Sequence, residues 1–91
     1  MFKKKAIVLD ASVETLRQVE NYFAETGITE ISYSGDDGSL GLARALELKP
    51  ELLIVNMFLK NIDGCEVIRA IKKSLPKTKI LAMGNASDSI I

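Results

Sequence analysis

Short apolar runs and periodic amphipathic stretches alternate along the chain. Continuous or nearly continuous apolar runs occupy residues 5–10, 52–55 and 79–83. Runs of this length, bounded by polar residues, are typical of strands that are buried on both faces of a parallel sheet. Residues 28–34 have a mixed pattern rich in β-forming residues, which predicts a further strand near a sheet edge.

Between these strands, apolar side chains recur at spacings of three and four residues, which is the helical period. The spacing predicts helices over residues 12–26, 39–48 and 65–75. Pro50 and Pro76 follow the second and third of these helices and cannot continue them. The order β-α-β-α-β-α-β predicts a parallel sheet covered by helices on both faces, with right-handed crossovers.

Acidic turn residues precede the second and third predicted helices. Asp36 and Asp37 lie in a glycine-rich turn, and we expect both to be solvated capping residues. Asp63 and Gly64 form a turn signal before the third helix. After the fourth predicted strand, residues 84–91 read as a polar loop with an apolar tail, so we expect that strand to be an unpaired edge.

Composition limits the classes of function. The 91 residues predict one domain over residues 1–91, and 12 basic residues balance 12 acidic ones. This balance argues against binding to nucleic acid or to a membrane, and we interpret Lys3–Lys5 as a solvated lead-in to the first strand. No apolar stretch approaches the roughly 20 residues of a membrane span, so we expect a cytoplasmic domain.

Nucleophilic and metal-binding residues are scarce. The chain has no histidine and a single cysteine, Cys65, which excludes an internal disulfide, a Cys-His pair and a zinc site. We expect the Cys65 thiol to be packed in the protein. Met57 and Phe58 are expected to pack in the core, with an exposed recognition patch as the alternative. We predict no catalytic residue, no metal ligand and no enzymatic activity.

One segment resembles a known family. Residues 51–64, ELLIVNMFLKNIDG, resemble the signature of response-regulator receiver domains, in which an acidic residue and four apolar residues precede the phosphoacceptor Asp. Three apolar residues, a Pro, two variable positions and Met-Asp-Gly follow it. Residues 5–10, 38–50 and 78–83 resemble the family's first strand, its Gly-x-x-Ala-Leu helix and its fourth strand.

The resemblance implies an α/β, flavodoxin-like (CheY-like) fold. In that family the parallel sheet has five strands in the order 2-1-3-4-5, with ligands at the carboxyl ends of the strands. Here we predict a sheet shortened to about four strands with three helices, without the fifth βα unit.

The resemblance also implies a site made of carboxylates, a magnesium ion and the phosphoacceptor Asp. Asn56 stands at the phosphoacceptor position, and Asp10 matches the first acid of the family's acidic pair. Ala11 replaces the second acid, Gly84 replaces a Ser or Thr, and Lys60 replaces the loop Pro. We therefore expect the Mg²⁺ site to be lost, so that the chain needs no cofactor.

These departures leave alternatives open. Asn56 alone could be an engineered block of phosphorylation, whereas Ala11 and Gly84 together favour a natural pseudo-receiver. Asp10 either caps the first helix or accepts hydrogen bonds, or it is a remnant of the acidic pocket.

The main hypothesis is a pseudo-receiver of two-component or phosphorelay signalling that acts through protein partners. A histidine kinase, an output domain and a second copy in a homodimer or oligomer are the candidate partners. One alternative is a truncated or inactivated form of a phosphorylatable receiver. The other is a small-ligand sensor that uses the cleft at the strand ends.

Overall fold

The structure is a computed structural model, and it describes residues 4–10, 14, 17, 19, 21, 29–83 and 88–90.

Five strands form one sheet, and two helices are described over their full length. The strands are β1 Lys4–Leu9, β2 Thr29–Gly35, β3 Leu52–Asn56, β4 Lys79–Met83 and β5 Asp88–Ile90, and the helices are α1 Gly38–Leu48 and α2 Gly64–Ser74. The sheet order is β2-β1-β3-β4-β5. Strands β1 to β4 are parallel, whereas β5 runs antiparallel to β4.

The predicted parallel sheet and its order are confirmed for the first four strands. Helices α1 and α2 match the predictions for residues 39–48 and 65–75 to within one residue at each end. The first predicted helix, residues 12–26, lies largely outside the described residues. Its described positions are helical: Glu14, Arg17, Val19 and Asn21.

The expectation of a loop was wrong for residues 88–90, and so was the expectation that β4 is an unpaired edge; residues 84–87 and 91 lie outside the described part of the chain. Residues 88–90 pair with β4, with Ile90 opposite Leu81 and Asp88 opposite Met83. Backbone groups at a sheet edge need hydrogen-bond partners, and a short returning segment supplies them. Because β5 covers this edge, an unpaired β4 no longer argues for a second copy there.

The core lies on both faces of the sheet, because successive residues of a strand point to opposite faces. Ile7 and Leu9 join the larger cluster, which includes buried residues of α1 and α2 such as Ala45 and Ile71. Val8 belongs to the smaller cluster on the other face, together with Ala6 and Ile54. A strand buried on both faces accounts for the unbroken apolar run in β1.

No helix in the described part of the chain is long and apolar enough to cross a membrane.

Leu53 tests the contribution of the larger cluster to stability. Its side chain is fully buried, so Leu53→Ala should lower the free energy of unfolding by roughly 2–5 kcal/mol. Urea denaturation followed by circular dichroism measures the loss. Leu46→Ala is the matched control because Leu46 is 40% exposed, and its effect should stay within about 0.5 kcal/mol. Equal losses would contradict this assignment of the core.

Candidate functional site

The sheet brings Asp10 and Asn56 together. Asp10 directly follows β1, and Asn56 is the last residue of β3. Strands β1 and β3 are parallel neighbours with Leu9 opposite Val55, so both polar residues lie at the same carboxyl end. Asp10 is only 1% exposed, and Asn56 is half-buried. The site therefore forms where the two central strands end.

The Asn56 amide connects Asp10 to the loop that follows β3. Its Nδ2 donates to Asp10 Oδ2 at 3.2 Å, and its Oδ1 accepts from the backbone N–H of Phe58 at 2.8 Å. The amide thus uses its donor and its acceptor at once. An Asp side chain at position 56 could accept from Phe58 but could not donate to Asp10, because an ionised carboxylate only accepts hydrogen bonds.

Asp10 is a buried acid, and a buried carboxylate is costly unless it is hydrogen-bonded. The Asn56 amide supplies one hydrogen bond to it. The backbone N–H of Asp10 also donates to the carbonyl of Gly35 at 2.9 Å, which ties the end of β1 to the end of β2. The contact with Asn56 supports the interpretation of the Asp10 side chain as a hydrogen-bond acceptor.

The loop after β3 is joined to the turn after β2 through Lys60. The Lys60 N–H donates to the carbonyl of Asp36 at 3.0 Å, and the Lys60 carbonyl accepts from Gly38 N–H at 2.9 Å. The Lys60 ammonium pairs with the Asp36 carboxylate at 3.0 Å. Proline has no N–H, so the family's residue at this position could not donate the first of these bonds. The expectation that Asp36 is a capping residue was wrong, since its carboxylate is held by Lys60.

Both described helices begin with an Asp-Gly pair. Asp37 caps α1 by accepting from the N–H of Leu40 at 2.9 Å, and Asp63 caps α2 by accepting from Glu66 at 2.9 Å. The capping role predicted for Asp37 and the structural role predicted for Asp63 are confirmed.

The glycine of each pair is required by close packing. A Cβ on Gly38 would collide with the carbonyl of Ile62, and one on Gly64 would collide with the carbonyl of Asn56. The N–H of Gly64 also donates to the carbonyl of Met57 at 3.0 Å. The first residue of α2 therefore packs directly against the backbone of the site.

Asp37 is held in its charged form. The hydrogen bond from the Leu40 N–H lowers the pKa of Asp37 below its usual value; partial desolvation opposes this, and a hydrogen bond from the Asn61 side chain adds to it. The nearby Lys60 ammonium lowers the pKa further. Sequence analysis missed the contributions of Asn61 and Lys60, because they arise from a contact between two separate loops.

The prediction of a packed Cys65 was wrong, since its thiol is exposed. The buried face of α2 is formed by Val67, Ile68 and Ile71 with Gly64, and Cys65 lies beside this face.

The prediction that Met57 and Phe58 pack in the core is confirmed in part. Met57 packs against the larger core cluster, whereas Phe58 is 60% exposed.

The residues at this site do not fit a magnesium ion, which prefers several oxygen ligands, usually including carboxylates. Position 56 offers a neutral amide whose oxygen already accepts from Phe58. The Ala11 side chain has no ligand atom and Gly84 has no hydroxyl; both positions lie outside the described residues. Among the described residues, no group of three or more His, Cys, Asp or Glu side chains could hold a metal.

Asp37 should make folding stability depend on acid pH. A lowered pKa in the folded state means that its contribution is full above the unfolded value of 3.8 and is lost as the pH falls through the folded pKa. The melting temperature should therefore fall more steeply on acidification in the wild type than in Asp37→Asn, which keeps a capping side chain but does not titrate. Thermal melts between about pH 6 and pH 2 measure the difference, and parallel curves would contradict it.

Asn56→Asp should destabilise the fold at neutral pH. The substitution removes the donor to Asp10 and places two carboxylates about 3 Å apart, a distance at which two acids resist joint ionisation. The expected loss is about 1–3 kcal/mol. Repulsion raises a carboxyl pKa in the folded state, so stability should recover as the pH falls below that raised value. Asn56→Ala is the control, because it loses the amide without adding charge, and urea denaturation at two pH values compares them.

The chain is similar in sequence to known response regulators. It is 32% identical over 65 residues to the response regulator protein VraR of Staphylococcus aureus strain Mu3, a match that covers 71% of this chain and 31% of VraR. The aligned region thus spans about a third of the length of this curated relative. No protein-family model matches the chain.

Solved structures share the fold. The signal receiver domain of the response regulator NarL from Mycobacterium tuberculosis superposes with a TM-score of 0.85 at 20% identity, covering 98% of this chain and 71% of that one. A chain of the CheX–CheY complex of Borrelia burgdorferi gives a TM-score of 0.80 at 14% identity, covering 89% and 61%. These likenesses confirm the flavodoxin-like, CheY-like fold. By its fold and by its sequence similarity to response regulators, the chain is a CheY-like receiver domain of the two-component response-regulator type.

Proposed function

We propose that this receiver domain is a pseudo-receiver, which passes on a signal by binding proteins and does not accept phosphate at position 56. The observation that carries the proposal is the hydrogen-bonded Asn56 amide, which contacts both Asp10 and the backbone of Phe58. The amide occupies the place where the family has its phosphoacceptor.

The chemistry of phosphoryl transfer supports this proposal. A receiver needs a carboxylate nucleophile and a metal ion that neutralises charge on the transferred group. An amide is a far poorer nucleophile and carries no charge. The Asn56 Nδ2 already donates to Asp10 Oδ2, and the amide brings no negative charge that would help to hold a cation there. The family's magnesium site is accordingly lost in this proposal, and no enzymatic activity is assigned.

Without covalent modification, a signal must travel through binding equilibria between conformations or partners. The Asn56 amide holds the start of the loop after β3, and Lys60 holds the loop to the turn after β2. The loop after β3 and the turn after β2 would therefore present a single conformation to a protein partner without phosphorylation. A histidine kinase, an output domain or a second copy of the chain remain the candidate partners.

One alternative is a phosphorylatable receiver whose acceptor has been replaced at position 56 alone. Asp10 favours it, because it directly follows β1, and the sequence resemblance assigns the first acid of the family to this residue. No contact among the described residues favours the second alternative, a small-ligand sensor.

Restoring the acceptor distinguishes the two main proposals. Asn56→Asp is incubated with acetyl phosphate and Mg²⁺, and a phosphate adduct is sought by intact-mass spectrometry. We expect no adduct on the wild type or on the variant, because position 11 still lacks the second acid. The double variant Ala11→Asp/Asn56→Asp is the matched comparison, and circular dichroism verifies that each variant folds. Ready labelling of Asn56→Asp alone would overturn the pseudo-receiver proposal and support the inactivated form.

A further inference from the structure

The amino ends of the parallel strands carry a concentration of positive charge. Lysines stand at the start of β1, at the start of β4 and in the turns that lead into β3 and β4, and all five are exposed: Lys4, Lys5, Lys49, Lys77 and Lys79. Because β1, β3 and β4 run in the same direction, these positions meet at one end of the sheet. These five residues form what is called here the lysine face.

Hydrogen bonds hold the parts of the lysine face side by side. The N–H of Glu51 donates to the carbonyl of Lys5 at 3.0 Å, and the N–H of Lys79 donates to the carbonyl of Glu51 at 2.9 Å. The Thr78 hydroxyl donates to the carbonyl of Pro50 at 2.6 Å and joins the two turns. The lysines are therefore placed on a fixed framework of strand ends.

The charge of this face is only partly balanced. Glu30 and Glu51 lie at the same end of the sheet, and the Glu51 carboxylate accepts from the backbone N–H of Lys5 at 2.6 Å. The ion pairs between described residues are Arg44 with Glu47 and Lys60 with Asp36, so none of the five lysines is paired with another described residue. The lysine face keeps a net positive charge.

A groove of about 460 Å³ opens within this face. Its walls include the apolar side chains of Pro50, Leu75 and Pro76, and Lys49 and Lys77 flank them. An apolar groove beside cationic groups suits an apolar side chain with acidic neighbours, since complementary charge guides and orients a partner.

We propose that the lysine face binds an acidic segment of another protein, with an apolar side chain of that segment in the groove. A peptide fits better than a nucleic acid, because the described residues that line the groove include no aromatic side chain on which a base could stack. The face lies at the opposite end of the strands from Asn56, so this inference does not depend on the proposed loss of phosphorylation.

The test uses a short fluorescein-labelled peptide of Asp and Glu with a central Leu, without any phosphodonor. Fluorescence anisotropy should show saturable binding that weakens with added salt, because salt screens exposed charges. The same peptide with Asn and Gln in place of the acids should not bind.

A charge-reversal pair locates the binding site. Lys77→Glu/Lys79→Glu should weaken binding of the acidic peptide by about tenfold or more, because both lysines belong to the proposed site. Arg17→Glu/Arg69→Glu changes the net charge by the same amount at exposed positions on helices and should weaken binding by less than about twofold. Circular dichroism verifies folding, and Lys77→Gln/Lys79→Gln replaces the first variant if it does not fold.

Two results would overturn the inference. Equal weakening by both double variants would show attraction to overall charge, with no localised site. Tighter binding of an oligothymidylate than of the acidic peptide would identify the face as a nucleic-acid surface. Either result leaves the labelling experiment on Asn56 unaffected, because that experiment concerns the other end of the sheet.

Discussion

The buried carboxylate of Asp10 sets the constraint on which the arrangement at the carboxyl end of the sheet depends. At 1% exposure it requires hydrogen-bond donors nearby, and the Asn56 amide is one of them. The same amide accepts a hydrogen bond from the Phe58 N–H. One side chain therefore donates to the buried acid and also holds the start of the next loop. A neutral donor beside Asp10 avoids the repulsion that a second carboxylate at position 56 would bring.

The loop after β3 is fixed from two directions. Asn56 holds its start, and Lys60 joins its middle to the turn after β2 through backbone bonds and an ion pair. The loop ends at Asp63, which caps α2, and Gly64 lets the helix approach the backbone of Asn56 closely. Lys60, in place of the family's proline, contributes to this arrangement because its backbone N–H donates to the carbonyl of Asp36 in the turn after β2. The departures from the family pattern at positions 56 and 60 are therefore mutually consistent: both replace a residue that could not donate with one that does.

Sequence patterns predicted the parts of the fold that depend on local periodicity. The apolar run Leu52–Val55 lies in a central strand, and the segments 39–48 and 65–75 form helices as predicted. Burial on one or both faces of an element requires apolar residues at regular positions, so such elements can be recognised in the sequence. The antiparallel strand β5 has three residues, too few for a periodic signal, and it forms because β4 needs a partner. The family resemblance singled out Asp10 and Asn56 as candidate site residues, and the structure brings their side chains into contact. The contact of Lys60 with Asp36 could not be predicted, since it joins loops that are distant in sequence.

Balanced composition concealed the distribution of charge in space. Equal numbers of basic and acidic residues gave no reason to expect binding to nucleic acid or to a membrane. A parallel sheet, however, separates residues that precede a strand from residues that follow one. In this chain lysines precede β3 and β4, whereas Asp10, Asp36 and Asp37 follow β1 and β2. The parallel topology therefore places the lysines at the amino ends of the strands and these aspartates at the carboxyl ends. One end contains the hydrogen-bonded amide of Asn56, and the other presents lysines that form no ion pair with another described residue, around an apolar groove. Because the rigid strands separate these ends, a partner could bind at the lysine face without competing for the surface around Asn56.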